Sequence, residues 1–188
     1  NTVCDYLAKT RGKIITIGIG KSGHIAQKVS ATLSSTGSPS SFINAAEALH
    51  GDAGGIAKND SVLIFSHSGQ SEEIIELFPF LKSLGCKYFS ITGSQESFIA
   101  KNAQINIDTG ISEEACPLDL APTTSTTAAL AIGDAIAIAT MKQKKFGQKD
   151  FKKFHPSGSL GSKLKSVEDL MLTGKKIPFI NENSNMKN

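Results

Sequence analysis

KIITIGIGKSG, residues 13–23, is the stretch of sequence that decides the fold. It begins with a short apolar run, Lys13–Ile17, turns through Gly18 and Gly20, and leads into a helical pattern from Gly23 to Ser35. Strand, glycine turn and helix in this order are the opening of a βαβ unit, in which a crossover helix returns the chain to a second parallel strand. The stretch therefore predicts the first strand and the first crossover helix of a parallel sheet.

The same alternation continues along the chain. Apolar runs typical of buried strands recur, and each is followed by small or polar residues and then by a helical pattern. The further strands are Ser40–Ile43, Ser61–Phe65, Lys87–Thr92 and Ala103–Asp108, and the further helices are Ser71–Leu84, Glu96–Lys101 and Thr123–Lys145. This pattern predicts an α/β fold with helices on both faces of a parallel sheet. Ligand chemistry is expected in the loops that follow the strands.

Composition narrows the class of protein. The 188 residues are 39% hydrophobic and 20% charged, as in folded domains, and their net charge of +3 is too small for a chain whose main partner is nucleic acid. The apolar stretch Ala121–Met141 carries Asp134, which argues against a membrane span and for a buried, alanine-rich helix. The chain opens without a signal-peptide pattern, and Cys4, Cys86 and Cys116 form no CxxC pair, so we expect a cytoplasmic protein.

Residues Gly18–Gly23 also match GxGxxG, the dinucleotide fingerprint. An NAD site additionally needs an acidic residue about 20 residues later, at the end of the second strand. That strand ends at Asn44, and the nearest acid, Glu47, falls in the following segment. The motif therefore favours a tight strand-to-helix turn over an NAD site.

SHSGQS, residues 66–71, follows the third strand. It places serine hydroxyls and turn amides at the start of the predicted helix Ser71–Leu84, and helix N-termini attract anions. Ser71 alone is equally well explained as a helix cap, but the repeated serines favour a phosphate site.

A further hydroxyl-rich loop, TTSTT at residues 123–127, opens the last long helix. Its hydroxyls could bind sugar or phosphate oxygens, although single threonines more often cap helices or pack between them. The chain has neither the GxxxxGK[ST] pattern nor an acidic cluster for magnesium, which argues against kinase or ATPase chemistry. We therefore expect the phosphate to be part of a small substrate.

Several blocks of sequence, taken together and in order, resemble the arabinose-5-phosphate isomerases of the sugar isomerase (SIS) domain superfamily. They are GIGKSGH at 18–24, EALHGD at 47–52, SHSGQSEE at 66–73, EEACPL at 113–118, LAPTTSTT at 120–127, and HP at 155–156 followed by LG at 160–161. The resemblance implies a three-layer α/β/α sandwich with a five-stranded parallel sheet. It also implies interconversion of D-ribulose 5-phosphate and D-arabinose 5-phosphate without a cofactor, the entry to Kdo, the acidic sugar of bacterial lipopolysaccharide and some capsules.

The resemblance also places the site residues. Its catalytic positions fall on Lys21, Glu73, Glu114, His155 and His50, and its phosphate positions fall on Ser66, Ser68 and Ser71. We expect the substrate-binding set to be completed by Gly20, Ser22, His67, Thr123 and Thr124.

Aldose-ketose isomerisation moves a proton between adjacent carbons through an enediol, so it needs a base and a group that polarises the carbonyl. A carboxylate base works best with its pKa raised by desolvation; Glu114 is the first choice and Glu73 the second, although a glutamate early in a helix is commonly only solvated. Lys21 could stabilise the enediolate oxygen or could be an exposed turn lysine. His50 and His155 could move hydroxyl protons or open a sugar ring.

The resemblance implies an assembly as well. We expect a homotetramer or homodimer in which His155 acts in the neighbouring subunit's site. Feedback by CMP-Kdo is expected from pathway position alone. The histidines and Cys116 show no metal-ligand spacing on one helix, so we expect zinc, captured at His50, to inhibit and not to be required. Longer relatives continue into CBS modules, so residues 1–173 are expected to form the isomerase domain and residues 174–188 a tail resembling the linker to them.

Three positions depart from the family pattern. His67 stands where an amide is commoner, Asp119 replaces a small or amide residue, and Ser157 stands where glycine is usual. None of them removes a proposed catalytic group. Two alternatives stay open: a non-catalytic SIS module that senses a phosphosugar, and an SIS isomerase of another sugar phosphate.

Overall fold

The computed structural model describes residues 2–155, 165–180 and 182–183. The chain divides into two compact units, residues 1–147 and 148–188. The boundary predicted from the sequence, between residues 173 and 174, lies inside the second unit and stays a prediction.

The first unit contains the whole sheet. Its strands are β1 (Ile14–Gly18), β2 (Ser40–Asn44), β3 (Ser61–Phe65), β4 (Lys87–Thr92) and β5 (Asn106–Asp108). Its helices are α1 (Val3–Ala8), α2 (Gly20–Ser35), α3 (Ala45–Leu49), α4 (Glu72–Ile75), α5 (Phe78–Leu84), α6 (Phe98–Asn102) and α7 (Thr124–Gln143), with a 3-10 turn at Asp52–Gly55.

The five strands form one sheet in the order β2-β1-β3-β4-β5, and every pair is parallel. The predicted fold class is confirmed, although β5 is shorter than the predicted Ala103–Asp108. The chain runs from β1 outward to β2 and then back past β1 to β3, so its direction of growth reverses between β1 and β3. In open α/β sheets this switch point is where the carboxyl ends of the strands leave a crevice for a ligand.

Two hydrophobic cores lie on opposite faces of the sheet. Successive residues of a strand point to opposite faces, so Val62 and Ile64 of β3 enter one core and Leu63 and Phe65 enter the other. The first core is completed by α3, α4, α5 and α6, and the second by α1, α2 and α7. A strand buried on both faces has no polar side to present, which explains the continuous apolar runs in the sequence.

The predicted helix Ser71–Leu84 is wrong as a single element. It is divided into α4 and α5, and Pro79 lies in the first turn of α5. Proline has no N–H to donate to the carbonyl four residues earlier and its ring crowds that carbonyl, whereas both costs vanish in a first helical turn. The phosphate-site argument from a long helix dipole therefore loses its basis, because α4 has only four residues.

Helix α7 is close to its predicted bounds but is buried on one face only. Gly133, Ile136 and Ala137 are among its buried residues, whereas Ile138 is 42% exposed. Asp134 makes an ion pair with Lys28 of α2, at 2.5 Å. In the part of the chain that the structure describes, α7 is the one helix long and apolar enough to cross a membrane by length and composition.

The second unit contains α8 (Gln148–Phe154), α9 (Val167–Leu170) and a 3-10 turn at Gly174–Lys176. An ion pair between Lys152 and Asp169 joins α8 and α9. Residues 156–164, and with them the Ser157 departure and the LG pair at 160–161, lie outside the described residues.

Candidate active site

The loop after β1 turns directly into α2. Gly20 has φ +56°, the left-handed region, and is already the first residue of the helix, three residues before the predicted start. A Cβ on Gly18 would lie 3.0 Å from the backbone of Gly23, so the glycines allow helix and strand to approach closely. Lys21 is exposed and Ser22 half-buried at this helix start. The interpretation of the motif as a tight strand-to-helix turn is consistent with this geometry.

The loop after β3 holds its serines by hydrogen bonds within the loop. Ser66 is 4% exposed, and its hydroxyl lies 3.0 Å from the hydroxyl of Ser71. Gly69, at φ +60°, donates its N–H to the carbonyl and the hydroxyl of Ser66. Ser68 is exposed and its hydroxyl accepts the N–H of Gln70 at 3.2 Å. Ser71 does occupy the cap position of α4, but its side chain contacts Ser66 and does not cap the helix.

His67 packs against Gly93. Gly93, just after β4, donates its N–H to the His67 carbonyl at 2.8 Å. A Cβ on Gly93 would lie 2.5 Å from the imidazole ring. A side chain at position 93 would therefore displace the His67 ring from this position.

The Glu114 carboxylate is bound to the N-terminus of α7. Its Oε2 accepts the backbone N–H of Thr123 at 2.8 Å, the Thr123 hydroxyl at 3.2 Å and the backbone N–H of Ser125 at 3.1 Å. Its Oε1 accepts the Ser125 hydroxyl. The carboxylate therefore satisfies amides that a helix N-terminus leaves without partners.

These hydrogen bonds change the acidity of Glu114 in the direction opposite to the one expected of a desolvated base. The Ser125 hydroxyl, with smaller effects from the N–H groups of Thr123 and Ser125 and the Thr123 hydroxyl, lowers the pKa of Glu114 to about 2. Hydrogen bonds to the charged form outweigh desolvation, which acts the other way. The expectation of a raised pKa at Glu114 is wrong for this arrangement.

The segment between Glu114 and α7 contains further internal hydrogen bonds. Asp119 has φ +52°, unusual for a residue with a side chain, and its Oδ1 accepts the Glu114 N–H at 2.6 Å. The Thr123 hydroxyl accepts the N–H of Ala115 at 2.9 Å. The departure at Asp119 thus has a structural consequence, because its carboxylate holds the backbone of Glu114.

A pocket opens at the carboxyl end of the sheet, beside the switch point. It is lined by Ser22, Ile25, Phe65, Ser66, His67, Ile91, Thr109, Ser125, Thr126 and Ala129. The hydroxyl of Thr109 is buried there and has no hydrogen-bond partner among the described residues. The pocket brings together three predicted binding residues and three hydroxyl residues outside the predicted site set.

The residues of the TTSTT loop line two different surfaces. Ser125 and Thr126 line the pocket, whereas Thr123 and Thr124 line a separate, more open groove with Pro122 and Ala128. The position at which α7 begins explains why Ser125 differs from Thr123 and Thr124. Because α7 begins at Thr124, Ser125 lies in its first turn and directs both its amide and its hydroxyl to Glu114. A binding role for Thr123 and Thr124 stays a prediction.

Glu73, His50 and His155 do not line the pocket. Glu73 is half-buried in the first turn of α4 and has no hydrogen bond or ion pair from its side chain within the described chain. His50 is exposed at the end of α3, which follows β2 directly. His155 belongs to the second unit, where its ring stacks on Phe151 at 3.9 Å and its Nδ1 lies 3.0 Å from the Phe151 carbonyl.

No group of three or more metal-ligating side chains occurs within residues 2–155, 165–180 and 182–183. The three cysteines are free. Backbone N–H groups, first that of Ala121, lower the pKa of the Cys116 thiol, whereas burial raises the pKa of Cys86.

The fold and the site together define a doubly wound α/β domain with a hydroxyl-lined pocket at its switch point. The chain belongs to the SIS domain family, whose model matches residues 6–139.

Individual relatives agree with the family. The chain is 48% identical over 178 residues to arabinose 5-phosphate isomerase KdsD of Pseudomonas aeruginosa, covering 94% of this chain and 55% of that protein. It thus spans about half the length of the curated relatives it matches. Its structure resembles that of an Escherichia coli CFT073 protein in complex with arabinose 5-phosphate, with 42% identity, a TM-score of 0.79 and coverage of 82% of both chains.

A more distant structural relative shares the fold alone. The NanR protein of Vibrio vulnificus, complexed with ManNAc-6P, is 16% identical with a TM-score of 0.66 over 91% of this chain and 60% of that one. The function must therefore be argued from the site.

Proposed function

We propose that this chain carries the isomerase domain that interconverts D-ribulose 5-phosphate and D-arabinose 5-phosphate, the step that leads to Kdo. The observation that carries the proposal is the joining of two groups at one pocket. Ser22, Ser66 and His67 line it from the β1 and β3 loops, and Ser125 links it to the Glu114 carboxylate. A phosphate-binding set beside a carboxylate is what a sugar-phosphate isomerase needs. The 48% identity to a KdsD isomerase supports the choice of substrate.

In the proposed reaction a carboxylate removes a proton from C1 of ribulose 5-phosphate. The electrons form the C1–C2 double bond of an enediol, the C2 oxygen gains a proton, and the C1 hydroxyl later loses one. Return of the carbon-bound proton to C2 yields the aldose, so the reaction needs no oxidant, reductant or cofactor. Lys21, exposed in the first turn of α2 at the switch point, supplies a cation for the developing enediolate oxygen.

Glu114 remains our first choice for the base. With a pKa of about 2 it is ionised throughout the neutral range, and its hydrogen bonds fix its position beside the pocket. Oε1 accepts one hydrogen bond and has a second lone pair for a substrate proton. A low pKa weakens the proton affinity of a base, and fixed geometry compensates for this through proximity. Glu73, half-buried and without a side-chain partner in the described chain, is the second choice.

The proposal includes an oligomer in which His155 acts in the neighbouring subunit's site, and His50 assists hydroxyl proton transfer. A homotetramer or homodimer is supported by α7, which is buried on one face and exposes the apolar residues Ala131, Ala135 and Ile138 on another. The free cysteines support a cytoplasmic location. Residues 174–188 are proposed to be the linker toward CBS modules, which fits a chain that covers 55% of its relative. CMP-Kdo is proposed as a feedback ligand.

The test is incubation with ribulose 5-phosphate, followed by NMR of the product. Arabinose 5-phosphate is expected from the wild type, and Glu114→Gln is expected to lower kcat by roughly 10²- to 10⁴-fold, the range of a general base. Glu73→Gln is measured in parallel, and the glutamate whose replacement causes the larger loss of kcat is the base.

Two outcomes would contradict the proposal. Binding of the sugar phosphate without turnover, in a protein whose oligomer is intact, would indicate a sensing module. Turnover of a hexulose or heptulose phosphate alone would indicate an isomerase of different specificity.

A further inference from the structure

Ser125 occupies a position that its neighbours in the TTSTT loop do not share. It is 2% exposed, and it contacts both oxygens of Glu114, through its hydroxyl to Oε1 and its N–H to Oε2. The hydroxyls of Thr126 and Thr127 instead donate to the Thr123 carbonyl. Thr123 reaches only Oε2. The orientation of the carboxylate plane therefore depends on Ser125.

Ser125 also lines the pocket with Ser66 and His67. It thus contacts the carboxylate and also borders the pocket. Burial leaves its hydroxyl little freedom to choose another acceptor, because an unpaired buried hydroxyl costs free energy. One residue therefore determines where Oε1 lies relative to the pocket.

We propose that Ser125 is the positioning residue of the Glu114 carboxylate: its hydroxyl and its N–H fix the orientation of the two carboxylate oxygens. The inference rests on the proposed function for its catalytic consequence, since Ser125 acts through Glu114. Its structural part, the control of the carboxylate, does not depend on the identity of the substrate.

Other titratable groups at this end of the sheet must be separated from Glu114 in any pH measurement. Glu113, Cys116 and Asp119 come from the same loop, and His67 lines the pocket from the β3 side. The first turn of α7 carries no charged residue. Glu113 and Asp119 are the other carboxylates of this set, so their NMR signals must be distinguished from that of Glu114 by assignment.

The experiment compares Ser125→Ala with Ser125→Thr and with a matched control, Thr127→Ala, whose hydroxyl lies in the same helical turn but does not contact Glu114. Side-chain carboxyl NMR, assigned with Glu114→Gln, follows the titration of Glu114 directly. In the wild type and in Thr127→Ala no titration of Glu114 is expected between roughly pH 4 and 6, the range of ordinary carboxyls. In Ser125→Ala it should enter this range, and Ser125→Thr should restore the low value.

The kinetic counterpart is a loss of kcat with little change in KM. Ser125→Ala should lower kcat by roughly tenfold to a hundredfold, as expected for a misplaced catalytic group, and should add an acid limb to the pH profile of kcat/KM. Thr32→Ala, which removes a hydroxyl that donates to the Lys28 carbonyl within α2, should leave both unchanged.

The outcomes separate this inference from the proposed function. A shifted Glu114 titration in Ser125→Ala supports positioning by Ser125 even if the wild type turns over no ribulose 5-phosphate, in which case the proposed function fails. An active wild type whose Glu114 titration and pH profile are the same in Ser125→Ala overturns the inference and leaves the function standing.

Discussion

The hydroxyls of Ser66 and Ser71 lie 3.0 Å apart, so the residue that follows β3 is joined to the residue that precedes α4. This contact closes the loop 66–71 on itself without using either hydroxyl to cap the helix. A phosphate that binds here would replace one neutral partner of each serine with a charged acceptor, and hydrogen bonds to charged groups are the stronger ones.

Ser71→Ala is therefore expected to weaken phosphate recognition more than catalysis. KM for ribulose 5-phosphate should rise by about tenfold or more, since a hydrogen bond to a charged group contributes about 1.5 to 3 kcal/mol, with little change in kcat. Inhibition by inorganic phosphate should weaken in parallel. Ser83→Ala is the control, because Ser83 is exposed on α5 and donates only to the Phe80 carbonyl. Unchanged KM and phosphate inhibition in Ser71→Ala would mean that the serines only shape the loop.

The contribution of Glu114 to the stability of the fold should decrease in acid. Its pKa of about 2 is below its ordinary value of 4.5, so the ionised form favours the folded state. This contribution is fully present above about pH 5 and is lost as the pH falls toward 2. At pH 7, Glu114→Gln should lower the free energy of unfolding by about 1 kcal/mol, the typical value of a helix cap.

Urea unfolding of both proteins at neutral pH and near pH 3 measures the effect, since the gap between them should shrink in acid. Glu72→Gln serves as the control, because Glu72 is exposed and its side chain has no partner in the described chain. A gap that stays constant with pH would show that the capping contacts of Glu114 do not depend on its charge.

The main features of the fold could be predicted from local signals, and the failures have identifiable causes. The parallel sheet with helices on both faces followed from the alternation of apolar runs and helical patterns, because buried parallel strands are apolar throughout. The break between α4 and α5 was missed although Pro79 is visible in the sequence, because apolar periodicity continues across it. The face of α7 that stays exposed could not be predicted, since its residues are as apolar as those of the buried face.

The candidate site, too, could be predicted only in part from local sequence signals. The loops after β1 and β3 were found because glycine and serine have specific backbone and hydrogen-bonding roles there. The contacts of Glu114 with Ser125 join residues 11 apart across an irregular segment, and no periodic pattern reports such a contact. Its direct consequence, a lowered pKa of Glu114, was therefore predicted with the wrong sign.

Gly69 should be the least replaceable residue of the loop 66–71. It combines φ +60° with close packing, since a Cβ would lie 2.1 Å from the Ser97 hydroxyl, which caps α6. Gly69→Ala is expected to cost about 2 to 4 kcal/mol, from the left-handed backbone and from overpacking. Gly85→Ala separates the two causes, because Gly85 has φ +71° but open space around its Cα. It should cost about 1 to 2 kcal/mol. If urea unfolding showed the same loss of unfolding free energy in Gly69→Ala and Gly85→Ala, the contact with Ser97 would be excluded as a cause.

Zinc is expected to inhibit the isomerase and not to support it. The described residues hold no group of three metal-ligating side chains, whereas His50 is exposed at the end of α3 and can take a metal as a single ligand. Activity should therefore survive treatment with a chelator, and micromolar zinc should reduce it. His50→Gln should make the residual activity less sensitive to zinc, whereas His24→Gln, which removes an exposed histidine from α2, should not. Activity lost on chelation and restored by zinc alone would overturn this prediction, because the reaction would then depend on a metal that the described residues do not hold by themselves.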